Sequence, residues 1–486
     1  MLLSLKTAIN IRLHLEFHSS ILLPFGLTME ANVVVEGGSS NSWLALVKDS
    51  IVKIRSKVAE FPGKMKKVAE DDPRRIVHSF KVGLAITLVS LFYYFDHLYV
   101  GFGSSAMWAV LTVIVVIEFS VGATLGKGLN RGLATFLAGT LGFGAHHLAN
   151  LPGRELQPIL LGIFVFILAA TVSFIRFFPR MKVRYDYGLL IFMLTFCLIS
   201  VSGYRDEEVL EMAHKRVSTI LIGGFTAIFV CIFICPVWAG EDLHNLAANN
   251  LEKLASFLEG FGDEYFRKSS EPESNKASLQ AYKSILNSKQ SEESLVNFAR
   301  WEPPHGPFRF RHPWKQYLKI GSLTRQCAYR IEALNGCLNS DVQASPETCR
   351  NFREAFIKAS SETGKAVKGL ASAMRKMTLP TGDCPQTAKS KNAADNLKSL
   401  LRTGLCEGID IVEILEVATV ASLLLDILAC TEKISESIHE LASLAHFKRL
   451  EPDEKDGNPD LDKQKQVWQS SNSIASNHHH HIITIE

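Results

Sequence analysis

The sequence predicts an all-α membrane protein, six transmembrane helices followed by a cytosolic helical domain. Three observations predict it. Apolar runs crowd into residues 76–238 of the 486-residue chain. Cations alternate with near-cation-free links between those runs. Beyond about residue 239 the chain turns polar and takes on helical periodicity. These shifts divide it into an N-terminal segment 1–75, a pore-type domain 76–238, a helical domain 239–450 and a disordered tail 451–486.

About 20 apolar residues cross the hydrocarbon core. On that measure the spans are 76–95, 104–125, 128–148, 158–178, 187–203 and 217–238. The positive-inside rule orients them. Lys53, Arg55, Lys57, Lys64, Lys66, Lys67, Arg74 and Arg75 precede the first span. Lys127 and Arg131 sit between the second and third, and Arg176, Arg180, Lys182 and Arg184 between the fourth and fifth. The opposite links are cation-poor, and the last of them is acidic (Asp206, Glu207, Glu208, Glu211). Both termini are therefore expected in the cytosol.

The first 28 residues have no clean apolar region and no small-residue cleavage site, so they read as a disordered extension, with Met29 a second candidate start. Residues 417–430 are apolar but too short to span, are interrupted by Asp426, and read as a buried helix. Residues 268–291 read as a polar mobile link. Four consecutive histidines, His478–His481, fall in the tail, where weak metal binding is the alternative to plain disorder.

Composition excludes several classes. The net charge of +3 has no clustered basic face of the kind nucleic acid requires. The nine cysteines form no CxxC pair; Cys197, Cys231 and Cys235 lie in apolar spans and the rest in a polar region expected in the reducing cytosol, so no disulfide framework is indicated. The run Gly122–Gly128 resembles a phosphate loop only superficially, because no Ser or Thr follows Lys127. No enzyme motif and no cofactor is implied.

A cation inside a membrane span is costly and marks function by default. Lys81 lies about a turn inside the first span, Arg131 about a turn inside the third, and Lys215 and Arg216 open the sixth. Lys127 sits at a glycine-rich elbow, one helical turn from Arg131. Cations from several spans suit an anion path, and Arg180, Lys182 and Arg184 would form its inner funnel. Lys127, Lys182 and Arg184 equally serve as plain inside signals. Glu118, an intramembrane acid, is either a structural partner for Lys127 or Arg131 or a proton relay. The acids Asp96, Glu207, Glu208 and Glu211 on the outer side are candidate cation-sensing oxygens or simply solvated charges. Span three has small-xxx-small spacing at Gly128/Gly132 and Ala138/Gly142, which permits close helix packing.

Five stretches in order resemble the plant aluminium-activated malate transporter family of anion channels: Trp108 to Gly132, Phe177-Phe-Pro-Arg-Met-Lys-Val-Arg-Tyr-Asp-Tyr-Gly188, Ser202-Gly-Tyr-Arg205, Pro236-Val-Trp-Ala-Gly-Glu-Asp-Leu-His244 and Trp301-Glu-Pro-Pro-His-Gly306. The resemblance covers about 76–447. It implies a homodimer with six membrane helices per subunit, and passive flux of malate and inorganic anions. It further implies gating by voltage and, in some members, by external aluminium or cytosolic anions. Inhibition by gamma-aminobutyrate is associated with the region 177–187. Lys81, Arg131, Lys182 and Arg216 match the family's pore cations, with Arg184 and Lys215 as register alternatives. Both plasma-membrane and vacuolar members exist, and the plasma membrane is the expected location here. The alternative reading of the residues is a proton-coupled organic-acid exporter using Glu118.

Overall fold

The computed structural model describes residues 60, 62–95, 107–153, 155–202, 209–266, 279–338, 346–380, 385–404 and 411–450. The terminal extension, the tail with its histidines, and residues 268–278 of the expected link lie outside the described residues. The chain divides into two units, Met1–Ile76 and Val77–Glu486. In the first, residues 62–71 are helical, with Lys64 bonded to Glu60 at 3.1 Å, and Asp72 accepts from the Arg74 amide at 3.1 Å.

The fold is almost entirely helical. Its apolar part comprises α1 (Arg74–Tyr94), α2 (Met107–Val116), α3 (Val121–Asn150), α4 (Gln157–Ile175), α5 (Pro179–Ser202) and α6 (Val209–Phe233). Among the described residues, three helices contain windows long and apolar enough to cross a membrane, Gln157–Ile175, Arg184–Val201 and His214–Phe233. That is fewer than the six expected, for identifiable reasons. Arg74, Arg75 and Lys81 dilute α1, while Lys127, Arg131 and the glycines dilute α3. The described part of α2 is 10 residues long.

The expected second span, 104–125, is not one helix. α2 stops at Val116, and α3 starts at Val121 behind the cap Ser120, whose hydroxyl accepts from the Ala123 amide at 3.3 Å. The Thr124 hydroxyl accepts from the Glu118 amide at 2.9 Å, so side-chain oxygens satisfy the backbone at the break. The elbow therefore lies at 117–120 and not at Gly126–Gly128, which are continuous helix. Glu118 is accordingly at a turn and not deep in a span.

The glycines of α3 serve close approach. A β-carbon on Gly122 would run into the Phe298 carbonyl, and one on Gly126 would come within 2.9 Å of the Trp301 ring. Gly223 of α6 likewise leaves room for the Ala109 carbonyl of α2. One apolar cluster joins α1, α2 and α6 through Ala85, Val89, Val113, Val116, Ala227 and Val230. A second joins α3 and α5 through Ala138, Ala145 and Phe196. α6 ends before Pro236, where Cys235 takes a left-handed backbone (φ 42°).

The polar part comprises α7 (Ala239–Tyr265), α8 (Lys283–Leu286), α9 (Lys289–Ala299), α10 (Trp314–Leu338), α11 (Pro346–Lys376), α12 (Pro385–Gly404) and α13 (Ile411–Ala445). α7 packs chiefly on α11, and α10 on α13. The apolar stretch 417–430 lies inside this bundle, with Val417, Val420, Ala421 and Ile427 buried. The expected link 268–291 is corrected at its C-terminal end. Leu279, Tyr282 and Ile285 are core residues of the bundle, so apolar side chains three apart outweigh the polar ones between them. All-α also needs one addition. Thr378–Pro380 and Lys448–Leu450 form a two-stranded parallel pair, β1 and β2, closing the ends of α11 and α13.

Candidate functional site

Three cations in the apolar helices are buried, each on a different helix. Lys81 on α1 is 1% exposed, Arg131 on α3 is 4% and Arg216 on α6 is 8%. Among the described residues none of the three has a carboxylate partner. Arg131 donates to the Tyr187 hydroxyl of α5 at 2.9 Å, while its Nε has no partner. Arg216 lies 3.4 Å from the centre of the Trp108 ring of α2, a cation–π contact. Arg131 is close enough to Arg216 for the two charges to oppose each other. Lys81 is buried apart on α1, where it and Glu118 both act on Cys231 of α6, while Arg131 and Arg216, with Tyr187 and Trp108, bring four helices to a positive site. Such a site favours a mobile anion, because no fixed anion neutralises it.

The remaining expected residues are placed differently. Lys127 pairs with Glu118, and its ammonium also lies 5.8 Å from the Tyr187 ring. Lys182 and Arg184 are exposed. They line a cavity of about 260 Å³ together with Lys127, Asn130, Tyr187 and Arg300, directly beside the buried cluster. Lys215 is half-buried beside Arg216 on α6. Asp96, Glu207 and Glu208 lie outside the described residues, and of Glu211 only its place in α6 is described. No group of three or more His, Cys, Asp or Glu side chains able to hold a metal occurs among the described residues.

The structure adds a joint that the sequence did not disclose. Glu302 accepts from the Ala239 amide at 2.6 Å and the Gly240 amide at 3.0 Å, capping α7 from a distant loop. Its field also meets the Gly122 amide at the start of α3. Glu302 therefore caps α7 directly and packs against the start of α3, where a β-carbon on Gly122 would come within 2.9 Å of its Cγ. The Val121 amide donates to the Val237 carbonyl at 2.9 Å, and His305 stacks on Trp238 at 3.9 Å. Three of the quoted motifs, in 108–132, 236–244 and 301–306, meet here. Their spacing gave the order but no role; the one available signal was an acid beside two prolines, following glycines in two other motifs.

Burial raises the Glu302 carboxyl above its usual range, against the pull of the Gly240 and Ala239 amides and His305. Behind it the Tyr317 hydroxyl bridges His244 Nδ1 at 2.9 Å and His312 Nε2 at 3.2 Å. Burial, with His244 and His305 nearby, pushes His312 down to about 4, and burial also lowers His244. Both rings are neutral at ordinary pH.

Comparison with known proteins agrees with the resemblance. The pattern of the family described as aluminium activated malate transporter matches residues 66–407. The chain is 50% identical over 434 residues to aluminum-activated malate transporter 2 of Arabidopsis thaliana, covering 88% of this chain and 85% of that one. It is 51% identical over 423 residues to transporter 7 of the same plant, covering 81% and 84%. It is 45% identical over 417 residues to aluminum-activated malate transporter 1 of Triticum aestivum, covering 84% and 90%. These relatives carry the names of transporters, not of enzymes. The chain, with its long apolar helices, is a membrane protein that belongs to the aluminium activated malate transporter family.

Proposed function

We propose that this chain is an anion channel that passes malate, and inorganic anions with it, through a pore lined by Lys81, Arg131 and Arg216. The observation that carries the reading is the burial of these three cations on three helices with no carboxylate partner among the described residues. A pore must attract the anion yet release it. Tyr187 and Trp108 hold the guanidiniums in place without neutralising them. Lys127, Lys182 and Arg184 around the cavity of about 260 Å³ form the inner mouth, which raises the local anion concentration.

In this reading α1 to α6 are the six spans, α3 and α5 entering from the cytosolic side. α7 to α13 are then the cytosolic domain, and both termini are cytosolic. The joint at Glu302 supports gating, because it ties the start of α3, which carries Arg131, to the start of α7. The protein works as a homodimer in the plasma membrane and responds to voltage and ligands. Asp96, Glu207, Glu208 and Glu211 are its outer cation-sensing acids. The pairing of Glu118 with Lys127 engages the acid that a proton-coupled exporter would need free, and so supports the channel.

Patch recordings of the expressed chain test the reading. Reversal potentials should follow the malate and chloride gradients. Flux driven by a pH gradient without current, and abolished by Glu118→Gln, would replace the channel with an exporter.

A further inference from the structure

A second cationic pocket, of about 640 Å³, opens in the polar part of the fold, where the loop after α9 turns into α10. Arg184, Arg300, Arg309, Arg311 and Lys315 line it, and all five are exposed. None has a carboxylate partner among the described residues. The one acid in its lining is Glu302, whose two oxygens are engaged by the Ala239 and Gly240 amides. Five positive charges therefore face a space of ligand size with nothing to balance them. Arginine in such number fits phosphate oxygens, which its planar fork bonds in pairs.

Two features tell a lipid from a soluble anion. Phe310, between Arg309 and Arg311, leaves 73% of its surface exposed, and Leu444 on the rim leaves 54%. An aromatic ring flanked by cations is the pattern of a segment resting at a bilayer surface, ring among the chains and guanidiniums on the headgroups. Arg311 also holds a left-handed backbone (φ 61°), an uncommon state for a residue with a side chain. The second feature is position. Arg184 is the first residue of the apolar window of α5, so the pocket lies at the level where a bilayer would begin.

We propose that this pocket binds the phosphorylated headgroup of an anionic membrane lipid, with Phe310 set among the adjoining acyl chains. The inference rests on α5 crossing the membrane, and not on what the protein transports. The pocket shares Arg184 and Arg300 with the cavity beside Lys127, so an occupied headgroup site would bear on the inner mouth directly.

The test uses the purified full chain in a neutral detergent. Four probes are titrated: dioctanoyl phosphatidylinositol bisphosphate, free inositol trisphosphate, inorganic phosphate and dioctanoyl phosphatidylcholine. The phosphoinositide should bind at least tenfold more tightly than phosphatidylcholine. Arg309→Gln with Arg311→Gln should weaken it at least tenfold, with an unchanged unfolding midpoint in the absence of lipid. Phe310→Ser should weaken the lipid at least threefold and leave inositol trisphosphate unaffected. Equal binding of the free headgroup and the lipid, with no effect of Phe310→Ser, would overturn the lipid assignment in favour of a soluble organophosphate. Absence of saturable binding, or binding indifferent to the arginine substitutions, would overturn the site itself. Malate flux in the same protein reports on the channel separately: lipid binding without flux would sink the channel and leave this inference standing.

Discussion

Buried cations are treated in opposite ways by the two parts of the fold. In the bundle, Arg325 of α10 is paired with Glu292 of α9, their side chains 13% and 4% exposed, and Ser288 donates to the same carboxylate at 2.8 Å. Gly321 leaves the room that Glu292 occupies. In the apolar helices Lys81, Arg131 and Arg216 are as deeply buried, but a tyrosine hydroxyl and a tryptophan face stand where acids would be. Charge is expensive to bury in either place. In the bundle the fold supplies a counter-charge; in the apolar helices it does not, and under the proposed function the passing anion supplies it.

The strongest way to break this contrast is to remove the uncompensated charge. Arg131→Gln or Arg216→Gln should lower malate current at least tenfold, about 1.4 kcal/mol or more of lost anion stabilisation, while Arg131→Lys keeps a measurable part. Tyr187→Glu should go further, because it gives Arg131 a fixed anion in place of the hydroxyl at 2.9 Å. Whole-cell recordings at matched surface expression check both. Wild-type current in Arg131→Gln would mean that burial there is structural after all.

The bundle predicts the reverse pattern, loss of stability with no direct loss of selectivity. Arg325→Met alone strands Glu292 and should cost about 3–5 kcal/mol. Arg325→Met with Glu292→Leu should recover most of it, since an apolar pair replaces the ion pair without an orphaned charge. The heat-unfolding midpoint of the full chain in detergent measures both. A double variant as unstable as the single would show that the bundle needs the ion pair itself.

What the sequence disclosed follows the same division. Charges that punctuate apolar runs are visible at any distance, so Lys81, Arg131 and Arg216 and the course of the chain through α4 to α6 were legible. The elbow was not. Gly126–Gly128 looked like the turn because glycine serves both for turning and for close approach, and only the partner, Trp301, distinguishes the two. Glu302 was hidden for a related reason. It lies 180 residues from Gly122 and about 60 from Ala239, so its role exists only once the helices are brought together. The folded stretch 279–286 was missed because few apolar residues in a polar run carry a weak pattern, though Leu279, Tyr282 and Ile285 are buried.

The joint between the two parts sharpens the contrast further, because there titratable groups are buried neutral. His312 has a pKa of about 4 in the fold against an ordinary 6.5. Between those values the unfolded chain binds more protons, so this contribution to stability is whole above pH 6.5 and is lost as pH falls toward 4. His244 acts in the same direction, and Glu302, with its raised pKa, in the opposite one over the range just above that of an ordinary carboxyl. The His312 contribution should lower the unfolding midpoint between pH 6.5 and 4, and His312→Gln should flatten the slope there. An unchanged slope would place the pH response elsewhere.

The smallest effect is expected where the two strategies meet, at Lys127 and Glu118. This pair sits at the helix break with side chains 37% and 36% exposed, half in reach of water. Solvent screens such a pair, and its worth falls to about 0–1 kcal/mol. Lys127→Gln and Glu118→Gln, singly and together, form a cycle whose coupling should stay below about 1 kcal/mol in unfolding. Their currents should stay within about twofold of wild type, a difference of about 0.4 kcal/mol, because the mouth keeps Lys182, Arg184 and Arg300. A large loss confined to Lys127→Gln would move Lys127 into the company of Arg131. A large loss confined to Glu118→Gln would instead restore the acid as a transport residue, and with it the proton-coupled alternative that its pairing with Lys127 argues against.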